Sequence, residues 1–272
     1  MNTNFDLPNN ILFSCEKQRK YAGEQVVANH SLSFVLSGKL ELRFVKEKVE
    51  ASTGRILLIR KNELVKSSKI PEESGLPFKS INIALTQEVL RNYAIQNKIE
   101  KQEKYFGPPI LDLSNNKFVK AYMESLLPYI DESGKFSPQL AQIKTVEAIE
   151  LLLASSSIIK QLLFDLSEPH KIDLEKFMSL NFLFNVSISE FARLTGRSLS
   201  TFKRDFKTIF NETPEKWLRY RRLDEAKYLI SEKGLKPSQV YYSVGFENFS
   251  HFSDAFKQRF GFNASRIAKS LL

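Results

Sequence analysis

The chain has 272 residues and a net charge of +9, with 42% hydrophobic and 26% charged residues. This length is sufficient for two domains that each bury a core, and the composition excludes a disordered chain. The single cysteine, Cys15, excludes an internal disulfide, and no apolar run is long enough to predict a membrane span. Because the N-terminus also lacks the pattern of a secretion signal, we expect a cytoplasmic protein.

The positive charge is concentrated in the last third of the chain. Residues 171–272 contain 18 Lys and Arg against 11 Asp and Glu, which gives +7, whereas residues 1–170 contain 22 against 20, which gives +2. A basic segment joined to a nearly neutral one indicates a polyanion-binding module attached to a second domain.

Up to about residue 85, short runs rich in β-branched and aromatic residues alternate with turn signals, which is typical of strands. Gly38 and Gly54 mark two of these turns. Many short strands without intervening helices predict an antiparallel β-sandwich or small barrel. The predicted strands are ILF (11–13), EQVVA (24–28), LSFVL (32–36), LELRFV (40–45), RILLI (55–59) and SINIAL (80–85).

From residue 86 to about residue 165 the pattern becomes helical. Thr86 is the predicted N-cap of the first helix, TQEVLRNYAIQ. A second helix over 117–130 contains Pro128, which should end or kink it. A third helix over 137–154 has Ser137 as its predicted cap and Pro138 at its first position.

The 137–154 helix carries an apolar stripe with a spacing of three or four residues. Packing within its own domain explains such a stripe better than a dimer contact does, but both interpretations stay open. The following run, 155–170, which contains Pro169, is interpreted as the boundary between a domain over 1–165 and a domain over 171–272. The stripe consists of Leu140, Ile143, Val146, Ile149 and Leu153.

Everything after residue 172 is predicted to be helical. Helices are expected at about 172–181, 187–194, 198–209, 214–231, 237–243 and 247–259, with a short tail after Ala264. The order is a short helix, a turn and a longer helix, then a long connecting helix, then the same pair again.

The paired segments share letters as well as pattern. Residues 200–210 read STFKRDFKTIF and residues 250–260 read SHFSDAFKQRF, and five of the eleven positions are identical. Ser187 and Glu190 form a candidate capping box, and Ala192 and Gly196 supply the small residue and the turn residue of a helix-turn-helix. The predicted units cover about 187–210 and 237–260, joined by the 214–231 helix. On the 198–209 helix, the predicted buried stripe is Phe202, Phe206 and Ile209 or Phe210.

With these motifs, residues 172–269 resemble the C-terminal DNA-binding domain of AraC/XylS-type bacterial transcription regulators. The resemblance depends on three segments: FARLTGRSLSTFKRDFKTIFNETP, the connecting WLRYRRLDEAKYLI, and VGFENFSHFSDAFKQRFG. It implies that the second helix of the first unit enters a major groove, that the second unit does so more variably, and that the 214–231 helix is a rigid spacer. Trp217 and Leu218 would then be packed, and Arg219, Arg221 and Arg222 partly exposed.

The resemblance also assigns candidate DNA-binding residues. In the first unit, Ser200, Lys203 and Arg204 would contact base edges, and Thr201 and Lys207 would contact phosphates. The second unit departs from the pattern, because Tyr241 replaces the small residue and Asp254 stands where Arg204 stands in the first unit. For that unit the candidate contacts are Asn248, Ser250 and His251, with Lys257 near the DNA backbone.

The N-terminal domain resembles the cupin-like sensing and dimerisation domain of the same family. HSLSFVLSGKLELRF and TGRILLIRKNEL are the segments that carry this resemblance. It implies a homodimer formed through this domain, controlled by a small effector inside the barrel or by a protein antagonist. With only His30 and His170 in this part of the chain, we expect no metal. Few polar residues are expected inside the predicted barrel, which favours the antagonist slightly.

The leading hypothesis is an α+β two-domain protein that regulates transcription by binding double-stranded DNA, an activator with RNA polymerase as partner and not an enzyme. It would need no cofactor, and no membrane contact is expected. One alternative is a DNA-repair or modification enzyme with the same module, which would need a nucleophilic cysteine motif or a metal cluster that Cys15 does not supply. The other is an antagonist or scaffold that no longer binds DNA, which Tyr241 and Asp254 favour and Lys203 and Arg204 oppose.

Overall fold

The computed structural model describes residues 5–6, 10–45, 47–100, 102–131, 138–166 and 171–269. The chain divides into two compact units, Met1–Ser167 and Glu168–Leu272. The first contains strands followed by helices and the second contains helices, so the predicted α+β class with a β-rich first domain and an all-α second domain is confirmed.

The strands of the first unit form two antiparallel sheets. One sheet has six strands in the order β1-β2-β9-β4-β7-β10, and the other has four in the order β3-β8-β5-β6. The strands are β1 (Phe5–Asp6), β2 (Ile11–Glu16), β3 (Lys20–Val26), β4 (His30–Ser37), β5 (Lys39–Arg43), β6 (Lys48–Ser52), β7 (Ile56–Ile59), β8 (Leu64–Ile70), β9 (Phe78–Leu85) and β10 (Ile110–Asp112).

Gly38 makes the turn by which the chain passes from the six-stranded sheet to the four-stranded one. Its φ of +81° is in the left-handed region, and a Cβ at this position would lie 2.4 Å from the carbonyl oxygen of Ile70. Both facts require glycine here. The predicted turn between β4 and β5 is therefore confirmed, and Gly54, with φ +88°, makes the turn before β7.

The space between the two sheets is apolar on one side and polar on the other. The apolar part includes Val35, Leu40, Leu42, Leu57 and Phe78. The polar part joins the sheets through Lys69 of β8, whose Nζ lies 2.5 Å from Ser14 Oγ and 4.0 Å from Glu16 Oε1 of β2. The expectation that few polar residues face this interior is wrong. The buried polar residues of this side are Ser14, Glu16, Ser33, Ser67 and Ser80.

Four strands were not predicted: β1, β6, β8 and β10. The sequence of β8, LVKSSKI, has polar residues at inward positions, so it does not show the alternation typical of a half-buried strand. Its Ser67 and Lys69 pair with Leu42 and Leu40 of β5, whose side chains belong to the apolar core. Backbone pairing with β3 and β5 makes this segment a strand in spite of its composition.

Over the residues that the structure describes, five helices complete the β-rich N-terminal domain. They are α1 (Gln87–Gln96), α2 (Lys117–Ser125), α3 (Pro128–Asp131), α4 (Pro138–Ser155) and α5 (Ser157–Phe164). Thr86 caps α1 as predicted, because its Oγ1 accepts from the Val89 amide at 3.3 Å. Pro128 separates α2 from α3, as predicted. Ser137, the predicted cap of α4, lies outside the described residues.

The run 155–170 is not only a boundary, since α5 occupies its first half. Ile159, Leu162, Leu163 and Phe164 of α5 are buried in the core beneath the six-stranded sheet. The sequence did not indicate this helix, because Ser155, Ser156 and Ser157 are typical of a loop. Ser156 instead caps α5, accepting from the Ile158 amide.

The apolar stripe of α4 divides between core and solvent. Ile149 is buried, whereas Ile143 is 62% exposed and Val146 is 38% exposed. The buried face of the helix consists of Ala141, Thr145, Ala148, Ile149 and Leu152. Packing within the domain therefore accounts for only part of the stripe.

The described part of the C-terminal domain, residues 171–269, contains the seven predicted helices, each within two residues of its predicted bounds. They are α6 (Leu174–Asn181), α7 (Ile188–Leu194), α8 (Leu199–Phe210), α9 (Pro214–Ser231), α10 (Pro237–Ser243), α11 (Phe249–Phe260) and α12 (Ala264–Lys269). Local signals fix these bounds, because side chains cap α6, α7, α8, α9 and α11, and Pro opens α9 and α10.

Over the residues that the structure describes, none of the helices has the length and apolar character that crossing a bilayer requires. Within the same residues, no three His, Cys, Asp or Glu side chains lie close enough together to hold a metal ion.

Candidate nucleic-acid interface

The first helix-turn-helix consists of α7 and α8. Gly196 has φ +67° in the turn, and the Arg197 amide donates to the Ala192 carbonyl, which closes the end of α7. Ala192 is fully buried between the helices, as the motif requires. Only half of the expected capping box forms, because Ser187 caps α7 while the Glu190 carboxylate bonds to Arg193 instead of returning to the backbone.

An aromatic stripe seats α8. Phe202 and Phe206 are completely buried, Phe210 is half-buried, and the Phe206, Phe210 and Trp217 rings lie 4.3–5.6 Å apart. Ile209, offered beside Phe210 as the last residue of the stripe, is exposed. The phenylalanines therefore hold the helix in place and leave its opposite side to solvent.

That opposite side carries the predicted DNA contacts of the first unit. Ser200, Lys203, Arg204 and Lys207 are exposed, and Thr201 is half-buried beside the cap formed by Ser198. The Lys203 ammonium lies 3.3 Å from the Glu215 carboxylate of α9, an exposed pair that costs little to separate. The Arg204 side chain is 75% exposed, and its Nη2 lies 3.7 Å from Asp205 Oδ1, a contact that also costs little to separate.

A half-buried ion pair between Arg197 and Asp205 was not identified from the sequence. The Arg197 side chain is 6% exposed, and it donates to Asp205 Oδ2 at 3.1 Å and to the carbonyls of Ile172 and Thr195. Lys171 lies 3.1 Å from the same carboxylate. The hydrogen bond from Arg197, followed by that from Lys171, holds the pKa of the Asp205 carboxyl below its usual range. The carboxylate next to Arg204 in sequence is thus neutralised from behind.

The second helix-turn-helix, α10 and α11, has a turn that is one residue longer. Gly196 and Gly245 correspond with an offset of 49, and both have positive φ. The caps Ser198 and Asn248 correspond with an offset of 50. Glu247 is the additional residue, so the two copies are not identical in the segment that aims the second helix.

The two departures in the second unit have different surroundings. Tyr241 is half-buried and its ring lies edge-on to Phe249, 5.5 Å away, at the start of α11. The Tyr241 ring therefore packs toward the first residue of α11. Asp254 is exposed at the position that corresponds to Arg204.

The predicted DNA contacts of the second unit are all exposed. Ser250, His251 and Lys257 lie on the solvent side of α11. Asn248 is the N-cap, and its Oδ1 accepts from the His251 amide at 3.1 Å. This hydrogen bond commits the carbonyl end of the Asn248 side chain to the helix terminus, a role that the sequence did not indicate.

The connecting helix α9 packs against both helix-turn-helix motifs. The Trp217 ring contacts Phe206 and Phe210 of α8, and Leu218 is buried. On the other side, Leu223, Ala226 and Ile230 belong to the core of the second helix-turn-helix. Arg219 and Arg221 are exposed as expected. Arg222 is half-buried and donates to backbone carbonyls on both sides, contacts that its sequence pattern did not indicate.

Each of the two domains contains a segment that matches a known protein family. Residues 191–270 match the family described as a helix-turn-helix domain, and residues 30–163 match the family described as the ExsA N-terminal regulatory domain.

Similar proteins of assigned function share this organisation over most of their length. The chain is 24% identical to the HTH-type transcriptional regulator ExsA of Pseudomonas aeruginosa over 239 residues, 85% of this chain and 83% of that protein. It is also 24% identical over 246 residues, 88% of this chain and 90% of the relative, to the virulence regulon transcriptional activator VirF of Yersinia enterocolitica and to the thermoregulatory protein LcrF of Yersinia pestis.

Among solved structures, apo ToxT from Vibrio cholerae covers 98% of this chain and all of its own, with 11% identity and a TM-score of 0.47. An AraC-type regulator from Chromobacterium violaceum covers 36% of this chain and 87% of its own, with 23% identity and a TM-score of 0.33. Since the double helix-turn-helix lies in a segment that matches the helix-turn-helix family and the β-rich unit matches a regulatory domain of such proteins, the chain is a DNA-binding transcription regulator of the AraC/XylS type.

Proposed function

We propose that the protein activates transcription by inserting α8 and α11 into successive major grooves of a promoter. The observation that carries this proposal is the pair of helices that bury the same three-phenylalanine stripe and expose polar faces, joined by one continuous helix, α9. Two major-groove entries on one face of B-DNA lie one helical turn apart, about 34 Å.

The first helix-turn-helix, α7 and α8, supplies most of the sequence discrimination. Arg204 and Lys203 are exposed on the outer face of α8, and a good contact from such a side chain to guanine O6 and N7 is worth roughly 1–3 kcal/mol of discrimination. Thr201 and Lys207 contact phosphates, and Ser200 contacts a base edge. In the second unit Ser250 and His251 make the base contacts, Asn248 orients the helix end that approaches the DNA, and Lys257 binds phosphate.

A selection from random duplex DNA with the full chain, at a stated salt concentration, tests this proposal. The wild type should enrich a two-part sequence. Arg204→Ala should lose preference at one position of the first part, because a base contact specifies one base pair. Lys207→Ala should weaken binding to all sequences alike and lower the salt dependence, because a phosphate contact carries no sequence information.

Asp254→Ala reports on the second unit. Removing a carboxylate that faces phosphates should raise affinity for all duplexes, whereas loss of preference for one cytosine would assign Asp254 to a base contact. Absence of any enriched sequence, with binding that depends only on salt, would contradict the proposal.

Activation is tested by transcription in vitro. The selected duplex is placed upstream of a weak promoter, and the transcript is measured with and without the protein. We expect more transcript, because contact between the bound protein and RNA polymerase recruits the enzyme. Less transcript on the same template would assign repression. Because its target is promoter DNA, we place this activity in the cytoplasm.

The β-rich N-terminal domain is proposed to form the homodimer. Ile143 and Val146 of α4 are exposed apolar side chains on one helix, and Phe118 of α2 is 76% exposed. The two helices lie together, because Tyr122 Oη donates to the Lys144 carbonyl at 2.7 Å. A second copy covering this face would remove these three side chains from water.

A second candidate role of the N-terminal domain is to bind a small polar effector between its two sheets. Burial lowers the pKa of the Lys69 ammonium, an effect that Glu16 opposes, and Ser33 Oγ is buried without a hydrogen-bond partner among the described residues. A thermal-shift panel of sugars and amino acids tests this role. At least one compound should raise Tm of the wild type but not of Lys69→Met, and the absence of any shift would favour the protein antagonist.

A further inference from the structure

The two helix-turn-helix units face each other across a groove of about 710 Å³. The floor of this groove is α9, and its walls are the loop between α6 and α7 and the turn between α10 and α11. Across such a groove the relative orientation of α8 and α11 depends on the few groups that span it.

Arg222 of α9 spans the groove. Its Nε donates to the Phe182 carbonyl at 2.8 Å and its Nη2 to the Phe184 carbonyl at 2.8 Å, both in the loop before α7. Its Nη1 donates to the Gly245 carbonyl at 3.2 Å, in the turn before α11. One planar guanidinium therefore joins the backbone that leads into the first helix-turn-helix to the backbone of the turn in the second.

A second bridge accompanies the arginine. Asn185 Nδ2 donates to Glu247 Oε1 at 2.8 Å, and Asn185 Oδ1 accepts from Arg222 Nη1 at 3.3 Å. Glu247 is the additional residue in the turn of the second unit, with no counterpart in the first. The lengthened turn thus provides the carboxylate that meets the first unit.

Gly245 is the residue that admits the guanidinium. A Cβ at this position would lie 3.0 Å from both Cζ and Nε of Arg222, closer than carbon and nitrogen atoms normally approach. Its φ of +86° also favours glycine. The corresponding Gly196 also makes its turn with a positive φ, +67°.

From these contacts we infer that Arg222, with Asn185 and Glu247, is a positioning cluster that fixes α11 relative to α8 and thereby sets which spacing between the two half-sites the protein accepts. The inference rests on the proposed function, because it assumes that both helices bind DNA together. Displacing one half-site by a single base pair moves it by about 3.4 Å and rotates it by about 35°. A pair of helices held rigidly cannot follow this displacement, whereas a loosened pair can.

An apolar contact is the competing explanation for the same rigidity. Leu183, from the loop that Arg222 holds, packs against the core of the second unit. If this contact alone fixed the units, loss of the guanidinium would leave their orientation unchanged.

The first test needs no DNA. Nitroxide labels on the exposed, equivalent positions Thr208→Cys and Gln258→Cys, in full-length protein carrying Cys15→Ser, report the separation of α8 and α11 by pulsed electron paramagnetic resonance. We expect one narrow distance distribution, and at least a twofold broader one with Arg222→Gln. An unchanged distribution in the variant would assign the orientation to Leu183 and overturn the inference.

The second test uses the duplex selected by the wild type, with one base pair added between its two parts. The wild type should bind the lengthened duplex at least tenfold more weakly than the original. With Arg222→Gln this penalty should shrink to about threefold or less. A variant that binds both duplexes more weakly but keeps the wild-type ratio would show that Arg222 does not set the spacing.

Two further variants keep the outcome decisive. Arg219→Gln removes the same charge from an exposed position of α9, where the guanidinium lies over the ring of the adjacent Tyr220, and should keep both the narrow distribution and the tenfold penalty. Glu247→Ala removes only the Asn185 bridge and should shift both measurements in the direction of Arg222→Gln but less far, and it decides the question if Arg222→Gln does not fold. Failure to select any duplex would count against the proposed function, whereas the distance measurement would still judge the cluster.

Discussion

Arg204 and Asp205 are neighbours in sequence and form an ion pair, with Nη2 3.7 Å from Oδ1, but they differ in exposure. The Arg204 side chain is 75% exposed, whereas the Asp205 carboxylate is also bound by Arg197 and Lys171 and is 18% exposed. The sequence identified Arg204 as a candidate contact from its place on the outer face of a helix. It did not identify Arg197, because the partner carboxylate is eight residues away and the two meet only when the helix-turn-helix has formed.

His30 is a second residue whose environment only the folded chain reveals. It is 1% exposed in β4, its Nδ1 accepts from the Lys61 amide at 3.3 Å, and its Nε2 has no hydrogen-bond partner among the described residues. Burial above all, then the positive charges of Lys61 and Arg60, lowers the pKa of His30 to about 3. The imidazole is therefore neutral in the folded protein.

This neutral imidazole predicts a loss of stability in acid. The unfolded chain takes up the proton near pH 6.5 and the folded chain only near pH 3, so the free energy of unfolding falls as pH is lowered between these values. From pH 8 to pH 5 we expect the His30 contribution to fall by about 2 kcal/mol. Urea unfolding of the full chain at several pH values measures this loss.

The controls for this prediction are two glutamine variants. His30→Gln should lose less stability between pH 8 and pH 5 than the wild type, because no imidazole is left to protonate. His251→Gln, which removes an exposed ring, should retain the wild-type dependence. Equal pH dependence in all three proteins would show that His30 is not the group responsible.

At the scale of the elements, α8 and α11 show how far local signals go. Each has a side-chain cap, a stripe of phenylalanines every four residues and an αL residue after its end, and all of these are readable in the sequence. For this reason the bounds of the helices in the C-terminal domain could be predicted closely. Strand β8 was not predicted because polar residues occupy its inward positions, and no local pattern shows which side of a strand will be buried.

The cap of α8 predicts a measurable loss of stability. Ser198 Oγ accepts from the Thr201 amide at 3.3 Å, so Ser198→Ala should lower the free energy of unfolding by about 1 kcal/mol, and Ser198→Gly by a few tenths. Ser250→Ala is the matched control, since this exposed serine occupies the equivalent position of α11 and should change stability by less than about 0.5 kcal/mol. Equal losses from both alanine variants in urea unfolding would contradict the role of the cap.

At the scale of the whole molecule, the N-terminal domain has apolar side chains of α2 and α4 that are exposed to solvent. The predicted stripe of α4 gave two explanations, core packing and a dimer contact, and the structure divides the residues between core and surface. Ile149 is in the core, and Ile143 and Val146 remain available to a second copy of the chain.

The dimer proposal predicts the effect of charges on this face. With Ile143→Asp and Val146→Asp together, the full chain should sediment as a monomer at tens of micromolar, a concentration at which the wild type should be a dimer, because two carboxylates would have to be buried in the interface. Ile158→Asp places the same charge on an exposed isoleucine of α5 and should leave the dimer intact. A wild-type monomer at this concentration would contradict the proposal.

The sequence by itself determined the helices of the second unit, the duplication of the helix-turn-helix and the outer face of α8, because caps, turns and apolar periodicity act over a few residues. The tertiary structure alone decided the polar interior between the sheets, the burial of His30, the Arg197–Asp205 pair and the bridge from Arg222 to Gly245. In each of these the partners are separated in sequence and meet only through packing. Side-chain identity gives no sign of such a meeting, since the same arginine on an isolated helix would be a solvated charge.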